Sequence, residues 1–348
     1  MTEQVCPEST VPTTAGTGGA ATAESTELAT RAIGTTKGTA TPRCGRRARQ
    51  ARRVVPALTR HPVPALFAVL LIAVQISYPL TEGPVRDRVT VAVVLLSAAT
   101  ALAHAAATRG TRFTAGFLAI VSGIGFLAEA VGTATGMPFG CYEYAVDRIG
   151  PALGAVPLIV PLAWTGGLYP VWIVATMLTR RAAGRIGLTA VGAVGWDLFL
   201  DPQMVADGQW TWCAEESGLP GLAQIPVTNY PGWFAVGLVM AALLERWDRA
   251  APASATTIAR TPAFSAATAL PAAVFLWTWL GSVLAHAVFL GLPASAGYGA
   301  LGMGALGLPL LLRLGRSRGG ERESARSHRR EPRRVAPPEH LGGAPRPE

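Results

Sequence analysis

The chain has 348 residues and a net charge of +9; half of its residues are hydrophobic and only 15% are charged. With a mean hydropathy of +0.34, that balance is too apolar for soluble domains of this length and points to a single membrane domain. The basic residues sit in tails and short connections, with no basic stripe interleaved with aromatics, which excludes a nucleic-acid-binding surface.

Residues 1–60 are rich in Thr, Ala, Gly and Ser and turn basic between Arg43 and Arg53, the composition of a disordered arm. The first apolar run begins only near Val63, which is poorly placed for a cleaved signal peptide. Eight segments of roughly spanning length follow: Val63 to Leu80, Val89 to Ala107, Phe113 to Thr133, Val156 to Leu178, Ile186 to Leu200, Trp233 to Leu244, Ala269 to Leu290 and Ala296 to Leu312. The fifth and sixth are short. Residues 315–348 return to Arg, Pro, Ser and Glu and read as a second basic, disordered tail. The expected fold is all-α: a polytopic bundle of about eight transmembrane helices within residues 61–314, multi-pass in the cell membrane.

Arginine placement orients this bundle, because cytoplasmic connections retain positive charge. Alternate connections carry Arg109 and Arg112, then Arg180, Arg181 and Arg185, then Arg246, Arg249 and Arg260; the intervening ones carry only Arg86, Arg88 and Arg148. Both termini are therefore expected in the cytoplasm, and the connection from Pro202 to Pro231, which has no Lys or Arg, is expected outside. Cys6, Cys44, Cys141 and Cys213 form no C-x-x-C pair and have no His at zinc-binding spacing, so no metal site or cofactor is expected; a Cys141–Cys213 disulfide stays open.

Acidic side chains are costly in hydrocarbon, which makes Glu129, Asp197 and Asp201 functional candidates. Asp197 and Asp201 are spaced i, i+4, on one helix face, where two like charges disfavour simultaneous ionisation. Counted from the cytoplasmic helix starts, Glu129 lies roughly 24 Å deep, Asp197 roughly 17 Å, Asp201 roughly 23 Å and His286 roughly 25 Å, all in the outer half, with His104 toward the inner one. The competing reading is structural: the acids bond Arg, Trp or backbone between helices, and Asp201, just before Pro202, ends a helix. For His286 and His104 the structural reading leads. Glu143, Asp207, Glu215 and Glu216 fall in connections, where solvated carboxylates are ordinary. Those connections are crowded with Gly, Pro and aromatics, including Tyr142, Tyr144, Trp210, Trp212 and Trp233, most of which read as interface anchors, while one or two near the acids are suited to stabilise a carbocation. No dinucleotide fingerprint, phosphate-binding loop or Glu-x-x-His pair accompanies the acids, which leaves metal-free acid catalysis.

In its middle the chain resembles the carotenoid biosynthesis proteins of the CruF-type carotenoid hydratase family. The residues that carry the resemblance are Gly136-Met-Pro-Phe-Gly-Cys-Tyr-Glu-Tyr144, Gly150-Pro-Ala-Leu153, Val156-Pro157, Pro161-Leu-Ala-Trp164, Trp196-Asp-Leu-Phe-Leu-Asp-Pro-Gln-Met-Val205, Gly208-Gln-Trp-Thr-Trp212, and Ile225-Pro226 through Asn229-Tyr-Pro-Gly-Trp233. It covers roughly residues 60–314, with local departures at Cys213 to Gly218 and at Tyr230-Pro231.

The resemblance implies addition of water to the terminal C=C of an acyclic carotenoid, giving a tertiary alcohol. Asp197 is then the expected acid, Asp201 its partner with roles that can exchange, and Glu129 the third member. Trp196, Trp164, Tyr142, Tyr144, Trp210, Asn229 and His286 are the candidate substrate-binding residues. The expected partners are an acyclic carotenoid entering from the bilayer and other carotenoid biosynthesis enzymes. Two other readings compete: a membrane prenyltransferase acting on a carotenoid or quinone, since Asp197-x-x-x-Asp201 is similar to diphosphate-binding aspartates, and a non-enzymatic carotenoid or proton carrier.

Overall fold

The computed structural model describes residues 61–213, 217–250 and 265–330. The N-terminal arm, Glu215, Glu216, Arg260 and the last part of the tail lie outside them. Among the described residues there are eight α-helices: α1 (Pro62–Ser77), α2 (Gly83–Arg109), α3 (Thr111–Thr135), α4 (Ile159–Leu178), α5 (Ala182–Ala206), α6 (Asn229–Ala250), α7 (Ala266–Leu284) and α8 (Pro293–Arg330). α1 continues into a short 3-10 turn at Tyr78–Leu80, and α7 into a π turn at Ala285–Phe289. The last turns of α8 extend into residues that the sequence reading gives to the C-terminal tail.

Six of the helices are both long and apolar enough to cross a membrane: α1, α2, α3, α4, α7 with its π turn, and Pro293–Arg316 of α8. With 25 residues in α5 and 22 in α6, the remaining two measure about 37 and 33 Å, long enough to span, but they carry the charged residues. They tolerate those residues because they pack on each other and on α3, α4 and α8, so polar side chains can face protein rather than lipid. α4 lies at the centre, with Trp164, Leu168, Tyr169 and Trp172 buried, whereas Leu66, Val69, Leu284, Leu301 and Leu312 on α1, α7 and α8 face outward. Such a rim suits hydrocarbon and would be a liability in water.

α5 runs further than the sequence suggests. Asp201 does not end a helix: the helix passes through Pro202 and continues to Ala206. Proline removes the N–H that would bond the carbonyl four residues earlier. Here that carbonyl, on Leu198, instead accepts the Ser295 hydroxyl of α8 at 2.7 Å. Asp207, expected to be solvated, follows the end of α5 and accepts from Arg86 Nη1 at 2.6 Å and from the Tyr78 hydroxyl.

α5 and α8 cross with glycine on both sides. A Cβ on Gly195 would lie 2.5 Å from the backbone of Gly302 and Met303. No side-chain rotation can relieve such an overlap, so Gly195→Ala is expected to cost about 1–3 kcal/mol. A thermal melt in detergent would show it as a lowered transition, while Gly187→Ala, where a Cβ meets nothing within 4 Å, should leave the transition unchanged or raised.

The basic connections assigned to one side by sequence do meet at one end of the bundle. Arg109 pairs with Asp248, Arg185 and Arg249 both pair with Glu245, and Arg313 donates to the carbonyls of Met177 and Leu178 at the end of α4. At the opposite end two connections form a small ribbon. β1 (Tyr142–Tyr144) pairs antiparallel with β4 (Trp210–Trp212), Tyr142 opposite Trp212 and Tyr144 opposite Trp210. The Cys141–Cys213 disulfide, with Cα atoms 5.3 Å apart, closes the ribbon next to that register. Two further short hairpins, β2 (Ala152–Leu153) with β3 (Val156–Pro157) and β5 (Gly218–Leu219) with β6 (Leu222–Pro226), complete this end.

Candidate active site

α3 and α5 bring Glu129, Asp197 and Asp201 to the ribbon end of the bundle, where α6 meets them with Asn229. Glu129 is 4% exposed, Asp197 0% and Asp201 2%, and neutral donors surround all three. Glu129 Oε2 accepts the hydroxyls of Tyr142 at 2.5 Å and Tyr144 at 2.8 Å, and Oε1 accepts Trp164 Nε1 at 3.0 Å. These donors reach it because strand alternation turns both tyrosines of β1 to one face and Trp164 stands one turn into α4. Burial, and next the adjoining Glu129 charge, hold both phenols above the ordinary tyrosine range, so they remain O–H donors.

The two aspartates share one amide. Asn229 Nδ2 donates to Asp197 Oδ2 at 2.8 Å and to Asp201 Oδ2 at 2.7 Å. Asp201 Oδ1 accepts Trp210 Nε1 at 2.6 Å, whereas Asp197 Oδ1 is buried without a partner. An unmade hydrogen bond in such a place costs about 1–3 kcal/mol, and a proton or a water removes the deficit. Asn229, the first residue of α6, faces the i, i+4 pair on α5 squarely enough to use both of its amide hydrogens.

Glu129, Asp201 and Asn229 line a chamber of about 70 Å³ walled by Trp164, Trp196, Trp210, Trp212 and Trp233. Trp164 and Trp233 stack at 3.9 Å, and Trp196 stands edge-on to Trp233 at 5.7 Å. Asp197 does not line the chamber; it stands behind Asp201 across the shared amide. A larger cavity of about 470 Å³ lies alongside, between α1, α2, α4, α5 and α7, and shares Thr90, Val94, Ala163, Trp196, Leu200 and Met204 with the chamber.

Nine of the ten residues singled out from sequence thus form one cluster: Glu129, Asp197, Asp201, Tyr142, Tyr144, Trp164, Trp196, Trp210 and Asn229. His286 stands apart in the π turn, with Nδ1 2.9 Å from Ser295 Oγ and Nε2 3.1 Å from Gln203 Oε1. It therefore buttresses the Pro202 region of α5 from behind. His104 bonds the Tyr169 hydroxyl at 2.9 Å, away from the acids. Sequence reasoning passed over Trp212 and Trp233 as anchors, yet both line the chamber, and Trp212 Nε1 is buried with no partner. The signal was available: alternation puts Trp210 and Trp212 on one strand face, and i, i+4 spacing puts Trp233 on the face of Asn229.

Fold and site together define a membrane helical bundle, closed at one end by short β-ribbons, with a carboxylate chamber set beside a mainly apolar cavity. The chain belongs to the carotenoid biosynthesis protein family, whose profile matches residues 89–306. It is also similar to the bisanhydrobacterioruberin hydratase of Haloarcula japonica, at 35% identity over 128 residues, 35% of this chain and 42% of that protein. The alignment thus spans less than half of that relative's length. No solved structure matches the chain.

Proposed function

We propose that this protein hydrates the terminal C=C of an acyclic carotenoid end group to a tertiary alcohol, without a metal. The observation that carries the reading is the aspartate pair sharing the Asn229 amide, with Asp201 and Glu129 facing a chamber whose remaining wall is mainly aromatic and apolar. A buried carboxyl beside a second one keeps its proton at neutral pH, so a proton is at hand for an alkene, which offers no lone pair and reacts only when protonated at carbon. Asp201, the member that faces the chamber, donates its proton to the less substituted carbon, and Asp197 is the partner behind it; of the two exchangeable roles, the geometry favours this order. The tertiary cation forms among the ring faces of Trp164, Trp196 and Trp233 and opposite Glu129. Water, offered a donor by Trp212 Nε1, attacks the cation, and its surplus proton returns to the aspartate pair. One water is consumed and the acid is regenerated.

The hydratase relative supports this reaction class. Neutral donors, rather than arginines, around the acids argue against a diphosphate site and hence against prenyl transfer. We also propose that the acid end faces outward across the cell membrane: the ion pairs of Arg109, Arg185 and Arg249 lie at the other end, outnumbering those of Arg86 and Arg148 at this one, and a disulfide persists on an oxidising side.

Purified protein in lipid nanodiscs, given an acyclic carotenoid alone, should yield a product heavier by one water. An unchanged mass would instead make it a carrier, and a product enlarged by an isoprenoid unit, seen only when a prenyl diphosphate is added, would make it a transferase.

A further inference from the structure

Most of a carotenoid cannot enter a chamber of about 70 Å³. The neighbouring cavity of about 470 Å³ has the size of a small-molecule site. Three of its polar wall residues are turned toward partners: Gln75 accepts Trp277 Nε1 at 2.8 Å, Gln203 is held by His286, and the Thr90 hydroxyl donates to the Arg86 carbonyl. Apart from the small hydroxyls of Ser97, Thr278 and Ser282, the rest of the wall is mainly hydrocarbon and aromatic. Leu80, Leu284 and Phe289, which line it, are exposed on the outside of the bundle, so the cavity opens where α1 and α7 meet the surrounding lipid.

We infer that this cavity is the binding gallery for the polyene shaft of the substrate, entered sideways from the bilayer between α1 and α7, with Trp196 as the partition that admits only the chain end to the acids. The inference rests on the hydration reading of the chamber. Trp196 lines both spaces, and its ring is fixed by Gly167, where a Cβ would lie 2.4 Å from the indole. Transfer from lipid into the gallery gains nothing from the hydrophobic effect, because lipid tails are equally apolar. Binding must therefore come from close packing along the chain, which makes the gallery sensitive to being filled.

Gly281 on α7 lines the gallery, and a Cβ there meets the Trp277 ring only at 3.6 Å, ordinary contact, so a side chain can be added without moving the helix. With Gly281→Phe in nanodiscs, kcat/KM for an acyclic carotenoid should fall about tenfold or more, while that for a short isoprenoid hydrocarbon with the same terminal alkene should stay within about twofold. Equal loss for both substrates, or loss for neither, overturns the inference. Binding provides a readout independent of turnover: quenching of tryptophan fluorescence by the polyene should require about tenfold more carotenoid in the variant, and unchanged quenching overturns the gallery. If the wild type binds and quenches but hydrates neither substrate, the chamber reading fails and the gallery stands. Gly281→Ala, matched to wild type in thermal transition, is the folding control, and Ser282→Leu fills the same space should Gly281→Phe not fold.

Discussion

Asp201→Asn is expected to lower carotenoid hydration about 10³-fold without unfolding the protein. The substitution is nearly isosteric, and an amide oxygen at the same place still accepts the Trp210 indole N–H, now 2.6 Å from Oδ1. The new NH₂ faces the Asn229 amide that Oδ2 now accepts, a local cost of about 1–3 kcal/mol that lowers the thermal transition without abolishing the fold. What disappears is the transferable proton on the carboxyl that lines the chamber. Asp197→Asn is expected to cost less, about 10²-fold, because Asp197 reaches the reacting carbon only through Asp201 and acts by biasing where the shared proton sits. Product mass and initial rate on purified protein measure both. A larger loss for Asp197→Asn than for Asp201→Asn would reverse the proposed order of the pair. Full hydration in both variants would sink carboxylic-acid catalysis here altogether.

That ordering was not legible in the sequence, although the pair itself was. The i, i+4 spacing fixed Asp197 and Asp201 on one helix face, and the cost of burying charge in hydrocarbon marked both as candidates. Spacing along a helix does not say which member meets a cavity, because that depends on how α4 and α6 roll against α5. The same limit explains Pro202. Locally it favours a helix end, and only the Ser295 hydroxyl, nearly a hundred positions away in the chain, supplies the bond that lets the helix continue. Apolar run lengths gave eight segments, all of which recur as helices. The ends of the fifth and sixth were misjudged because hydropathy breaks at Arg185, Asp201 and Glu245, whose charges protein contacts hold inside the bundle, and because it gives no credit to the exposed last turn of α6 at Arg246 and Arg249. Trp212 and Trp233 were passed over for a related reason: an aromatic at an interface and an aromatic at the wall of a chamber have the same local signature, and what separates them is the strand face shared with Trp210 and the helix face shared with Asn229.

Glu129→Gln should damage rate and stability together, and comparing the two separates its roles. Three donors converge on this side chain, two phenols on Oε2 and one indole on Oε1. A carboxylate accepts all of them; a glutamine keeps one acceptor oxygen and turns an NH₂ group toward whichever donor faces the other position. If the amide oxygen stays with the tyrosines, the Trp164 N–H is left buried opposite another donor, at a cost of about 1–3 kcal/mol read as a lowered thermal transition. The variant also removes the negative charge that stands across the chamber from Asp201, so turnover should fall about 10²-fold, in kcat more than in KM, because the charge matters most when the cation forms. Tyr144→Phe is the matched comparison: it removes one donor to the same oxygen and leaves the carboxylate charged. If Tyr144→Phe equals Glu129→Gln in loss of turnover, Glu129 acts by holding the ribbon against α3 rather than by its charge. A tenfold or greater gap in kcat, at similar thermal transitions, would mean that the charge itself stabilises the reacting end of the polyene.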